Sequence, residues 1–247
     1  MPSPVPMSDQ AGRILNRVAA EVSIATVQDP FAVSDPTFSQ LIQLMNTAGE
    51  ELVLQFPWEQ LQNEANITTQ NGDTGDYALP TDFAYMTNQT GWERNSQVPL
   101  FGPLSPQEWQ YLKARDPGSA TLYASFRIKQ GQFSLFPAPP SVGLNINYEY
   151  IGKNWVQDGD TPTLFKDSVE RFSDVPLYNR LLIGRYVKVK YQEAHGLDST
   201  KAQDDFNQIY AVQTGQNMGA PVLNAGGGGY TMPLLNGFNA PLTGYGS

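Results

Sequence analysis

The chain has 247 residues, 40% of them apolar and 16% charged, with a formal net charge of −9. That is the composition of a folded chain long enough for one large domain or two modest ones, and its acidity argues against wrapping nucleic acid by phosphate neutralisation, though not against a surface past which nucleic acid slides. With no cysteine and the single histidine His195, disulfides, thiolate zinc sites and thiol catalysis are excluded, and any His-based relay rests on one ring.

Residues 1–10 are Pro-rich and read as an extended arm. From Gly12 to Ala25, Ile14, Leu15, Val18, Ala19 and Val22 recur at helical spacing, with Ser8 or Asp9 as the cap. Asp35 before Pro36 predicts a second helix with proline at its first position, carrying a stripe from Phe38 through Leu41, Met45 and Leu52 to Phe56. Pro57 ends it, and Trp58, Leu61 and Ala65 suggest a further short helical piece.

From Ile67 the period changes. Residues 67–69, an Asn/Gly/Asp turn at 71–76 and residues 77–80 read as strand, turn, strand. Residues 86–92 and 98–100 flank another turn. Ser105-Pro106-Gln107-Glu108 is a capping box opening a short helix through Trp109 and Leu112. Phe126 and Ile128, then Phe133 and Leu135 after Gln130-Gly131, then Leu144, Ile146, Tyr148 and Tyr150, alternate with period two and predict an antiparallel meander with one buried face.

Near Pro176 the chain turns helical again. Leu182, Ile183, Tyr186, Val187, Lys190 and Ala194 trace one face, Gly196 is a natural stop, and Asp198 caps a last helix whose Ala202, Phe206, Ile209 and Tyr210 face inward. Arg180, Arg185, Lys188 and Lys190 concentrate cations on one helix; a solvated face and a partner or channel contact are the two readings. Residues 218–247 carry no charge. Tyr230, Met232, Leu234, Leu235, Phe238, Leu242 and Tyr245 follow a Gly226–Gly229 hinge without helical or strand period. Such a segment cannot bury enough apolar surface by itself to offset its ordering entropy, so it is expected to bind a partner's pockets; folding back over its own chain is the other reading.

The resulting fold class is α+β. An N-terminal arm (1–10) precedes a helical bundle from 11–65 and 176–217. An antiparallel β-sandwich or barrel-like region (66–175), with a helix at 105–113, is inserted into it, and a Gly-rich partner-binding tail (218–247) closes the chain. No nucleophile elbow, phosphate loop, dinucleotide fingerprint or zinc-protease motif occurs. Asp158-Gly159-Asp160 and Asn71 to Asp76 lack the full spacing of a calcium loop and read as turns. No catalytic residue, metal or cofactor is assigned. No apolar run approaches the ~20 residues that span a bilayer. The N-terminus shows no basic segment followed by an apolar one, so no signal peptide is expected. The acceptor patterns at Asn66 and Asn88 then read as chance.

The order helix–helix, WEQLQ (58–62), YALPTDF (77–83), GWERN (91–95), PLFGPLSPQEWQYLKA (99–114), FRIKQGQFSLFPAPP (126–140), YEYIGKNWV (148–156), helix–helix resembles the head-to-tail adaptor, or connector, proteins of short-tailed bacteriophages over roughly residues 10 to 216. The resemblance implies a non-enzymatic virion protein assembled in the host cytoplasm. It implies a dodecameric ring under the portal protein that extends the DNA channel and docks the tail tube or nozzle, with no membrane partner. The C-terminal segment from Tyr230 onward fits insertion between portal subunits. The segment LFKDSVERFSDVPLYNRLL departs from the family's form, and the charge-free tail extends beyond it. A different neck or tail-tube protein is a second reading. A carbohydrate-binding or hydrolytic tail module using Trp92, Trp109 or Trp155 is a third, favoured by an exposed tryptophan in a cleft beside a close carboxylate pair.

Overall fold

The computed structural model describes residues 7–115, 125–138 and 140–217. Helix α1 (Ala11–Glu21) buries Ile14, Leu15, Val18 and Ala19, the stripe read from the sequence. It stops short of Ala25, and neither Ser8 nor Asp9 caps it; Gln10 holds the N-cap position without a side-chain bond. The first amides are satisfied elsewhere: Ala11 N–H donates to the Asp174 carbonyl at 2.7 Å and Gly12 N–H to that of Phe172 at 3.1 Å. A helix start paired with neighbouring carbonyls needs no capping side chain.

Helix α2 (Pro36–Gln55) opens as expected, with the Asp35 carboxylate accepting from Thr37 N–H at 2.8 Å. Beyond Pro57 the expected helical piece is absent. One 3-10 turn, Glu59–Leu61, runs straight into strand β1 (Gln62–Thr68), so Ala65 is a strand residue. Trp58 folds back over the end of α2, donating its indole N–H to the Leu52 carbonyl at 2.7 Å, and is buried edge-on against Phe56, Tyr178 and Tyr210. After it Gln62, Glu64, Asn66 and Thr68 alternate outward, a period of two that outweighs the apolar triplet.

Then follow β2 (Asp76–Ala78), β3 (Phe83–Met86), β4 (Trp92–Glu93), β5 (Val98–Pro99) and helix α3 (Pro106–Arg115). The capping box forms: Ser105 N–H donates to Glu108 Oε2 at 2.8 Å, and Glu108 N–H to Ser105 Oγ at 3.3 Å. Strands β6 (Ser125–Lys129) and β7 (Gln132–Phe136) make the predicted hairpin, with Gln130 and Gly131 both at positive φ (52° and 72°) as a two-residue turn requires. The predicted meander breaks there. Strand β8 (Asn145–Gly152) leaves β7 and pairs with β1, β3 and β4. The expected 67–80 hairpin breaks in the same way, because β1 pairs with β8 and β2 with β7.

Two antiparallel sheets result, β1-β8-β4-β5 with β3 also on β8, and β2-β7-β6. They share one core of Ile67, Met86, Leu100, Phe126, Phe133, Leu135, Ile146, Tyr148 and Tyr150. Phe133 of one sheet stacks on Tyr148 of the other, ring centroids 4.9 Å apart. A period of two places a strand's apolar side but not its partner, so contiguous runs divide between facing sheets.

A third small sheet, β10 (Phe165–Lys166), β9 (Val156–Gln157) and β11 (Val175–Pro176), packs into the helical core. Helix α4 (Arg180–Ala194) begins after it, capped by Asn179 accepting from Leu181 N–H at 2.9 Å, rather than at Pro176. His195 is its C-cap, followed by Gly196 at φ 65°. Helix α5 (Thr200–Asn217) is opened by Asp198 accepting from Thr200 N–H at 3.0 Å. Helices α1, α2, α4 and α5 share one core in which Trp155 and Tyr178 are wholly buried. The α+β class follows directly.

Candidate functional site

Three features were singled out as partner-facing: the α4 cations, the tryptophans and the C-terminal apolar side chains. Helix α4 turns its four cations onto the chain's own acids. Arg180 Nη1 lies 3.4 Å from Asp9; Arg185 Nη1 lies 3.1 Å from Glu21 and 3.7 Å from Asp205 of α5; Lys188 Nζ lies 3.3 Å from Glu21. These three tie α4 to its neighbours. Lys190 turns the other way, 2.6 Å from Glu51 of α2 and 5.1 Å above the Tyr186 ring. Burial alone would raise the Glu51 carboxyl, but hydrogen bonds from Lys190 and Tyr186 outweigh it and hold the carboxyl below its usual range. Arg180 keeps the most exposure of the four, 41% of its side chain.

Trp109 and Trp155 are 3% and 0% exposed and lie in cores, so neither is a surface platform. Trp92 does reach the surface. It lines a groove of about 570 Å³ on the outer face of the larger sheet, with Glu64, Thr90, Arg94, Asn147 and Glu149. Glu64 and Glu149 sit directly opposite across the β1–β8 register, and Trp92 opposite Asn147 on β4. Arg94 pairs with Glu64, and Glu149 accepts from Gln62. The sequence marked Trp92 but not these acids. Their signal was the polar side chain at every second position of 62–68 and of 145–149.

The acidic turns prove to be self-contained. Asp158 accepts from Thr161 N–H (2.8 Å), Asp160 N–H (2.9 Å) and Lys166 Nζ (3.2 Å). Lys166 also lies 2.9 Å from the fully buried Asp174. Asp73 accepts from Gln70 N–H and the Tyr77 hydroxyl. Among the described residues no group of three His, Cys, Asp or Glu could hold a metal ion. His195 meets Gln40 and packs at a tilt beside Tyr191, and it does not line Trp92's groove. Tyr230, Met232, Leu234, Leu235, Phe238, Leu242 and Tyr245 lie outside the described residues.

The family model for the SU10 adaptor protein matches residues 9–225, nearly all of the described chain. The chain belongs to the SU10 adaptor protein family. Comparison with curated proteins finds no match. The resemblance read from WEQLQ onward is therefore a family relationship: this is a phage adaptor, a structural component of the virion associated with portal and tail components. Within the adaptor those motifs have structural uses. Trp58 of WEQLQ locks the end of α2. Glu93 of GWERN is 4% exposed and accepts from the backbone amides of Asn95, Ser96 and Asn145. Trp155 of YEYIGKNWV packs on Tyr178 at 5.9 Å. Among the described residues no helix is long and apolar enough to cross a membrane.

Proposed function

We propose that the adaptor forms a homo-oligomeric ring, dodecameric as in the phage connectors it resembles, seated beneath the portal. The ring extends the DNA channel and docks the tail tube or nozzle. The observation that carries this reading is the family match across 9–225. An acidic channel wall, expected from the net charge of −9, would let DNA pass without holding it. The segment beyond Asn217 supplies the portal contact, with Tyr230, Met232, Leu234, Leu235, Phe238, Leu242 and Tyr245 as apolar anchors. Asn217, the last residue of α5, accepts from Glu59 N–H just beyond the Trp58 lock, so α5 ends beside the end of α2. Of the α4 cations, Arg180 is the most open to a partner; Arg185, Lys188 and Lys190 mainly brace the bundle.

Native mass spectrometry of the protein alone and with portal tests the proposal. Rings are expected, with subunit contacts burying more than ~2,000 Å² per pair as obligate interfaces do. A chain that stays monomeric with portal present refutes it. Removing 218–247 is expected to abolish portal attachment and leave the circular dichroism spectrum of the bundle and sheets unchanged. Attachment that survives the deletion refutes the tail's role.

A further inference from the structure

We propose that the Trp92 groove is a binding site for a neutral oligosaccharide, one hexose or N-acetylhexosamine ring seated on the indole. The inference does not rest on the ring described above. The groove is a built feature of the sheet: β1 places Glu64, β8 places Asn147 and Glu149, and β4 places Trp92 and leads into Arg94. Its roughly 570 Å³ falls within the range of small-ligand sites.

The chemistry selects the ligand class. A pyranose has an apolar C–H face and a rim of hydroxyls. The first needs a flat aromatic surface; the second needs groups that accept or donate in pairs, which carboxylates, carboxamides and guanidinium supply. Trp92 is the half-buried aromatic lining the groove, and among the described residues its indole N–H has no hydrogen-bond partner. Around it stand two carboxylates, the Asn147 carboxamide and the Arg94 guanidinium.

A protein partner fits less well. Apart from Trp92 the lining side chains are polar or, like Tyr148, 1% exposed, so the clustered apolar centre of a protein hot spot is missing. The register supplies a second argument. Glu64 and Glu149 directly opposite each other work against sheet pairing. Arg94 reaches Glu64, and the partner of Glu149 is only the neutral Gln62. Two acceptors beside an aromatic plane suit vicinal hydroxyls. Carboxylates outnumber the single cation, so uronic acids and other anionic sugars are rejected.

Trp92 makes its own reporter. Trp58, Trp109 and Trp155 are 1%, 3% and 0% exposed, so ligand-dependent emission change comes from Trp92. The experiment titrates the full chain with chitotetraose, maltohexaose and mannotetraose, with an oligogalacturonate as the anionic control, by fluorescence and calorimetry. A saturable change with at least one neutral sugar is expected and none with the control. E149Q should weaken that binding about tenfold, as loss of a charged hydrogen bond does, and W92A should abolish it. Should W92A fail to fold, E149Q and W92F carry the test, W92F keeping the aromatic plane and most of the calorimetric affinity. The proposal is overturned by no response up to ~10 mM sugar, by a response that E149Q leaves unchanged, or by Trp92 emission that changes with protein concentration alone. That last result would mean another copy of the chain covers the face.

Discussion

Arg185 of α4 reaches Glu21, the last residue of α1, at 3.1 Å, and the same carboxylate also meets Lys188 at 3.3 Å and Arg17 at 3.6 Å. One acid at the end of α1 thus gathers three cations and fastens two helices distant in sequence. Glu21→Gln removes the shared charge. With these side chains 19% to 51% exposed, solvent screening limits the cost to about 1 kcal/mol. Urea denaturation should show the loss at low ionic strength and a smaller one in ~1 M salt.

A deeper cluster should matter more. Lys166, with 16% of its side chain exposed, bridges Asp158 and the wholly buried Asp174. Lys166→Met leaves Asp174 buried without its cation and is expected to cost about 3 kcal/mol, read as a lowered urea midpoint. Burial alone would lower the Lys166 ammonium, but the bonds to Asp174 and Asp158 outweigh it and hold it above its ordinary value. The cluster's contribution is therefore complete below the unfolded lysine value and fades as pH rises through the folded one. The wild type should lose more stability than Lys166→Met in the alkaline range.

Acid should act through Glu93. Burial pushes this carboxyl up, yet the amides of Asn145, Ser96 and Asn95 outweigh burial and hold it below its usual range. A carboxyl lowered in the folded state adds stability above its unfolded value, near pH ~4.3, and that contribution is lost as pH falls through the folded value. Glu93→Gln should cost about 2 kcal/mol at neutral pH and flatten the acid limb of the stability profile. Hydrogen exchange at Asn95, Ser96 and Asn145 should quicken in the variant.

Gly49 and Gly215 separate packing from propensity. Both lie within helices, but a Cβ on Gly49 would sit 2.2 Å from the buried Trp155 ring, and one on Gly215 would meet nothing within 4 Å. Gly49→Ala must displace the indole and should destabilise by about 3 kcal/mol. Gly215→Ala should stabilise by about 0.5 kcal/mol through helix propensity. Thermal melts of the two variants should shift in opposite directions.

Local chemistry was legible wherever its reach was a few residues. Asp35-Pro36, Ser105 to Glu108, Gln130-Gly131 and Gly196 each act on the backbone within one turn, so the residues alone determine where those elements begin, turn or stop. The apolar stripes of α1 and α2 are equally explicit, because helical period and burial coincide; on α4 Leu182, Ile183, Tyr186 and Val187 are buried as read, but Ala194 is exposed and Val189, outside that stripe, is buried. Composition alone also removed thiol chemistry and disulfides. Tertiary structure decided which strand meets which. Asn66 reaches Asn147 across 81 residues, and Phe133 and Tyr148, neighbours in one apolar stretch, face each other from opposite sheets. Only the assembled fold told Trp92 apart from the buried Trp58, Trp109 and Trp155, and turned the α4 cations toward Asp9, Glu21, Asp205 and Glu51. Strand partner, side-chain exposure and ion pairing are properties of contacts between distant segments, and no period within a single segment encodes them.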